Sequence, residues 1–319
     1  MASDSSIIFS YVLDGKGGGR LPDEASDNDS RPVWTHIDYS AADAREVLAG
    51  NGLEPYIVDT LIREESRPSA VAVGEGLMVV LRGINRNAGA NPEDMVSIRI
   101  WIAADRMLSV RQRRLIAAKE IADELSEHHG PATVSDLLIA IIERLADGIA
   151  MFVDDIEARM ESLEDAIDAG ASLDIRRDIS AVRRQLASVR RYLSPQRDAL
   201  ESLYRLGNKL LDTQQLFAVR EQSDRITRYI EDLDLVRERS LVAQEDVMNR
   251  ISQEQNARTY VFSVVASIFL PITFISGVFG MNTAGLPGLE HEAAFWFVAA
   301  GMAAISIGTI LWLRARKWF

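Results

Sequence analysis

The chain has no cysteine in its 319 residues. That excludes a disulfide scaffold, a thiol nucleophile and any thiolate metal site. It also lacks a basic surplus: 35 Lys and Arg stand against 47 Asp and Glu, a net charge of −12. An acidic body speaks against nucleic acid as a partner, because such partners require a basic patch. The 47% hydrophobic content excludes disorder, and 20 Gly with 9 Pro exclude collagen-like or low-complexity chains. Met1 to Ser10 has no cationic stretch and no long apolar run, so no secretory signal is expected. One further absence is local. From Thr259 onward the charged residues are Glu290, Glu292, Arg314, Arg316 and Lys317, summing to +1. The residues before Thr259 therefore carry −13.

What fills that charge-free tail is apolar. Tyr260 to Phe279 is dominated by aliphatic and aromatic side chains, and Ala293 to Leu313 is a second uncharged run. About 20 residues at 1.5 Å each make roughly 30 Å of helix, the thickness of a bilayer core. Pro271 lies inside the first run, a position tolerated in membrane helices and costly in soluble ones. The competing reading is a pair of buried helices in a large soluble core; two such runs separated by a short loop favour a membrane hairpin. Arg250 and Arg258 precede the first span, Arg314, Arg316 and Lys317 follow the second, and the loop 280–292 has neither Lys nor Arg. The positive-inside rule then places both termini in the cytoplasm. Trp312 and Trp318 suit an interfacial belt.

The remainder reads as two parts. In residues 1–112, Ile7–Leu13, Trp34–Tyr39, Leu77–Ile84, Val96–Ile102 and Met107–Val110 read as strands, with Ala41–Ala49 and Glu54–Arg63 as helices. That is an α/β cytoplasmic module. Residues 113–258 read as a helical bundle and stalk: a helix over Val134–Ala169, a second after Ser172 as N-cap that Pro195 should kink or interrupt, and a third. The third is expected to run from about Thr213 to Phe279, straight into the first span. Its apolar face includes Ile226, Tyr229, Ile230, Leu233, Val236, Leu241, Val247 and Ile251. Residues 259–319 form the all-helical membrane part. A helix of roughly 100 Å needs partners, and self-association about a common axis supplies them.

Within the first span, Asn256, Thr259, Ser263, Ala266, Leu270, Thr273 and Gly277 follow one another at alternating steps of three and four. That spacing holds them on one stripe of a gently supercoiled helix. Small and hydroxyl residues there mark either close helix packing or the lining of a pore, with Leu270 as a hydrophobic constriction. Neither span holds Asp, Glu, Lys, Arg or His. A divalent ion crossing there meets only hydroxyls, amides and carbonyls, so it must keep most of its hydration shell.

Other constellations are weaker. Adjacent His128 and His129 point about 100° apart on a helix and rarely share an ion. Asp154, Asp155, Glu157, Glu161, Glu164, Asp165 and Asp168 read as a solvated helix face, with attraction of cations as the alternative. Arg111, Arg113 and Arg114 are expected to pair with that acidity. Gly17-Gly18-Gly19 lacks the strand–loop–helix setting of a phosphate loop and reads as a turn. No nucleophile–base set is evident, so enzyme chemistry and a bound cofactor are not expected.

Gly280-Met281-Asn282 stands directly after the first of two C-terminal spans, within FLPITFISGVFGMN at 269–282. This resembles the CorA-type divalent metal ion transporter family. The loop Thr283-Ala284-Gly285-Leu286-Pro287-Gly288 is similar to that of the zinc transporter ZntB branch, and lacks the acidic Met-Pro-Glu-Leu of magnesium members. ESRPS (65–69), GEGLMVVLRGIN (74–85), SVRQRRL (109–115), RRYLSPQRDAL (190–200) and RKWF (316–319) also resemble that branch. The resemblance implies a homopentamer in the bacterial inner membrane, its pore built from five first helices. Asn282 would then offer a ring of amide oxygens to a hydrated cation, with Gly280 and Met281 shaping the loop. It further implies zinc movement coupled to protons, for which Glu290, His291 and Glu292 are the nearest titratable groups, and an inside-negative potential makes Zn²⁺ import the downhill direction. A magnesium channel of the same architecture and a membrane-anchored cytoplasmic sensor are the alternatives.

Overall fold

Alternating β-branched and aromatic side chains, as in VSIRIWI at Val96–Ile102, can bury both faces only inside a sheet covered on both sides. A computed structural model describes residues 5–21, 31–64, 67–170, 175–281 and 293–316. Its strands are β1 (Ile7–Leu13), β2 (Gly19–Arg20), β3 (Val33–Asp38), β4 (Ser69–Val73), β5 (Gly76–Gly83), β6 (Val96–Ile102) and β7 (Arg106–Arg111). They form one sheet in the order β2-β1-β3-β7-β6-β5-β4. Only β3 and β7 pair in parallel, from Val33 opposite Arg106 to Asp38 opposite Arg111. The short edge strands β2 and β4 extend the five strands expected from sequence.

On one sheet face Ile37, Met78, Trp101, Leu108 and Val110 pack against α1 (Ala44–Gly50) and α2 (Pro55–Leu61) through Leu48, Ile57 and Leu61. The opposite face carries α3 (Ile116–Ser126), α4 (Val134–Asp168) and α5 (Ile175–Leu206). A Cβ on Gly83 would stand 2.6 Å from Cδ2 of Leu145 on α4, so a larger residue on β5 would make that leucine shift. Strand β4 begins at Ser69 opposite Val80, which leaves the N–H of Arg82 beyond its partner strand. That N–H donates to Oε1 of buried Gln196 on α5 at 2.7 Å, a side chain standing in for a missing strand.

Helix α4 starts on an N-cap: Thr133 Oγ1 accepts from the N–H of Asp136 at 3.0 Å. Its apolar stripe, including Ile142, Ile149, Ile156 and Met160, is buried. The expected cap at Ser172 lies outside the described residues. Helix α5 runs on through Pro195, so of the two expected outcomes, a kink or an interruption, the interruption does not occur. Proline removes one backbone donor, and burial of Leu193, Ala199, Leu200 and Leu203 on either side outweighs that loss. A short 3-10 turn, Gly207–Lys209, leads to α6 (Thr213–Gly280), and α7 (Ala294–Ala315) follows. The chain divides into two units, Met1–Gln244 and Glu245–Phe319.

Ion pairs tie the first unit's helices together. Arg225 of α6 meets Asp147 of α4 at 2.7 Å, Arg239 meets Glu164, and Arg190 of α5 grips Asp234 of α6 through two bonds of 2.5 and 2.9 Å. The acidic helix therefore pairs with α6, and Arg111 pairs instead with Asp38 at 3.6 Å. The parallel β3–β7 register explains the change, because it sets Asp38 directly opposite Arg111.

Beneath the sheet, Ser109 Oγ accepts from the Trp34 indole N–H and contacts His36 Nδ1, both at 2.8 Å. Burial first, then the nearby Arg111 charge, lowers the His36 pKa from 6.5 to about 3. The unfolded imidazole takes its proton near pH 6.5 while the folded one refuses it, so stability is full above that pH and falls as pH drops toward 3. The slope from this one group is about 1.4 kcal/mol per pH unit. Thermal melts of the full chain should thus lose about 2 kcal/mol between pH 6.5 and 5 that a His36→Gln variant does not lose. An equal loss in the variant would assign the acid sensitivity to other groups.

Candidate functional site

Residues Thr259 to Gly280 carry no charge, and in the second unit they form the end of α6. Two helices, α6 and α7, contain windows long and apolar enough to cross a membrane, with mean hydropathy 2.2 and 1.9. Those windows are almost unburied, which removes the alternative of two helices hidden in a soluble core. Hydroxyls in these segments turn back onto their own helix. Ser267 Oγ donates to the Ser263 carbonyl at 2.8 Å, and Ser276 to Ile272 at 2.9 Å. On α7, Ser306 donates to Met302 and Thr309 to Ile305, each at 2.8 Å. A hydroxyl bonded in this way can sit in hydrocarbon without an orphaned donor.

The two sides of α6 differ. Tyr260, Val264, Ile268, Ile272 and Ile275 recur every three or four residues and are partly or fully covered, Val264 to 8% exposure. Asn256, Thr259, Ser263, Leu270, Thr273 and Gly277 are all exposed. The stripe read from spacing is thus a face that this chain leaves open. Leu270 is 71% exposed and Phe274, one turn on, 69%. Phe274 borders the stripe and was not among the residues singled out from sequence; its four-residue step from Leu270 was the available signal. A Cβ on Gly277 or Gly280 would meet no atom within 4 Å. Helix α6 closes at Gly280, and the Met281 N–H makes a loose bond to the Val278 carbonyl at 3.4 Å. Asn282, Glu290, His291 and Glu292 lie outside the described residues.

The flanks hold the charge. Arg258 pairs with Glu254 one turn earlier at 3.7 Å, and the Arg316 guanidinium sits 5.6 Å from the Trp312 ring centre. Among the described residues, no group of three His, Asp or Glu could hold a metal ion. His128 and His129 are exposed where α3 ends, and His128 takes a left-handed φ of 62°. The glycine run lies in a hairpin loop that binds its own carboxylate. Asp14 Oδ1 accepts from Lys16 N–H at 2.7 Å and from Gly18 N–H at 2.9 Å. Those bonds hold the Asp14 carboxyl below its usual pKa and place a negative charge where a phosphate loop would need donors.

Residues 29–316 match the family described as CorA-like Mg2+ transporter protein. The chain is 32% identical over 316 residues to the zinc transport protein ZntB of Yersinia enterocolitica, covering 98% of this chain and 96% of that one. It is 33% identical over 335 residues to the divalent cation transporter CmaX of Pseudomonas aeruginosa, covering 99% and 97%. The solved structure of full-length CmaX superimposes with a TM-score of 0.86 at 32% identity, covering 100% of this chain and 99% of that one.

Because nothing in the chain approaches a Cβ at Gly277, Gly277→Ala should leave the thermal melting of the dissociated chain unchanged or slightly raised. A marked drop in the melting temperature of the single chain would show that the residue packs within its own copy.

Proposed function

The chain belongs to the CorA-like transporter family, and from that premise we propose that it is an inner-membrane Zn²⁺ importer working as a homopentamer with proton symport. The observation that carries the reading is the open stripe on α6. It is polar or small at most positions, uncharged, and turned away from the face that the chain itself covers. Five copies placing this stripe on a common axis would enclose a path lined by Asn256, Thr259, Ser263, Thr273 and Gly277. Leu270 and Phe274 are the bulky groups on that path, and a ring of each makes a narrow apolar gate.

Chemistry then assigns the ion's state. A path without imidazole or carboxylate offers zinc no ligand to replace its waters, so the ion travels hydrated. Asn282, beyond the end of α6, is the amide at which the hydrated ion is first received, with Gly280 and Met281 shaping that entrance. With both termini inside, the membrane potential favours inward movement of a divalent ion by about 4.6 kcal/mol per 100 mV. Import is therefore the downhill direction. Protons find no titratable side chain within the spans, so coupling falls to Glu290, His291 and Glu292, of which histidine titrates near neutral pH. The two named relatives support zinc and divalent cations as the cargo class.

The test is flux into proteoliposomes bearing the full chain, followed with separate zinc and magnesium dyes, with and without an inward proton gradient. Zinc uptake should rise with the gradient and fall at least about tenfold in Asn282→Ala, a loss of 1.4 kcal/mol or more. Magnesium uptake indifferent to the gradient would move the chain to the magnesium channels. Silence toward both ions, from folded pentamers, would end the transport reading and favour an anchored sensor.

A further inference from the structure

The charges on α4 and α5 repeat with one period and opposite sign. On α4, Asp147, Asp154, Glu161 and Asp168 recur every seven residues, and all four are exposed. On α5, Arg-Arg pairs recur at 176–177, 183–184 and 190–191, again every seven, with Arg177, Arg184 and Arg191 exposed. Seven residues rise about 10.5 Å on both helices, so the two ladders have the same rungs. Among the described residues, Asp154, Glu161, Arg177, Arg184 and Arg191 make no ion pair within the chain.

Helix α6 lies between the ladders. Its Arg225 and Arg239 reach Asp147 and Glu164 of α4, while its Asp234 and Gln244 receive Arg190 and Arg183 of α5. These two sets of α6 positions stand roughly 100–180° apart around the helix at 100° per residue. One flank of α6 is therefore acidic and the other basic. On the basic flank, Arg183, Arg184, Arg190, Arg191, Leu233 and Arg237 line a groove of about 730 Å³. The α6 face between the flanks, opposite its buried stripe, bears Leu235 and Val242 at 58% and 61% exposure.

We propose that the acidic ladder of α4 in one copy docks against the basic ladder of α5 in the next, closing the oligomer head to tail. A ring needs two different complementary surfaces on each chain, and these are two. Register supports the match. Arg159 of α4 bonds Gln185 of α5 within the chain, which fixes their relative height. Counting outward from that bond on two helices running in opposite directions, Asp154 stands level with Arg190 and Arg191. Glu161 stands level with Arg183 and Arg184, and Asp168 with Arg176 and Arg177. Rotation about an axis along the bundle leaves every height unchanged, so each acid meets arginines of the neighbouring copy without a shift. Leu235 and Val242 then face that axis. Each pair is weak alone; repeated along a ladder and around a ring they set orientation and partner.

This inference rests on the homopentamer reading above, and charge exchange separates the two. Full-length protein in detergent is weighed by native mass spectrometry across a salt series. Arg184→Glu with Arg191→Glu, and separately Asp154→Lys with Glu161→Lys, should each lower the salt concentration that dissociates the ring at least threefold. Combining all four substitutions should restore it. Rings untouched by either pair, or a combined variant no better than the worse pair, would overturn the ladder while leaving the pentamer standing. A parent chain that is monomeric at every salt concentration would overturn both.

Discussion

Hydrocarbon offers no hydrogen bonds, and the structure of this chain is arranged around a helix that must leave water for it. From Thr259 to Gly280 the backbone of α6 bonds to itself, Ser267 and Ser276 bond one turn back, and no side chain is charged. Earlier in the same helix the opposite rule holds. There, Val219, Ile226, Ile230, Leu233 and Val236 are buried, while arginines and carboxylates occupy the remaining sides. One unbroken helix thus obeys two solvents in succession. The change falls where the last pair, Arg258 with Glu254, gives way to Tyr260.

The charge distribution follows from that division. A body of −13 cannot be read as a cation trap merely because it is acidic. Much of the acidity is engaged: Asp147 and Glu164 hold α6 in place, and Asp234 is gripped by Arg190. Exposed pairs of this kind stabilise by only about 0–1 kcal/mol each. Their larger effect is on register, since a bidentate grip accepts one alignment of α5 on α6. The apolar core beneath, with Leu137, Ile141, Ile149 and Ile156 fully buried, supplies the affinity that such pairs then direct.

Periodic features were legible in the sequence, and features created by a neighbour were not. Strands β1 and β6 stand at the residues that alternation marks, and α4 and α6 start where their first apolar turns begin. Strand β4, SAVAV, has too little bulk to announce itself; it exists because β5 offers it an edge. Pro195 reads as a breaker, yet α5 passes through it because the flanking leucines are buried on both sides. Arg111 pairs with Asp38 through a parallel register joined by some seventy intervening residues, which no local window contains. For the candidate site, three-and-four spacing identified the stripe. Which face of α6 the chain covers is a property of packing, and so Phe274 escaped notice until its exposure was known.

Read as the lining of the proposed pore, the uncharged stripe also limits where selection can happen. A path of hydroxyls, glycine and apolar side chains discriminates by width and hydration, because it holds no group that would strip water from a cation. Membrane carriers that move protons through their interior keep carboxylates or histidines there, at high energetic cost. This chain keeps none between Thr259 and Gly280 or within α7 before Arg314. In the proposed pore, chemical discrimination and any titration are therefore confined to the ends of the path: the residues after Gly280 on one side, and the charged turns before Thr259 on the other. The apolar centre at Leu270 and Phe274 is left with one task that fits its chemistry. In the proposed pore it would be wet or dry, and a hydrated ion would pass only when it is wet.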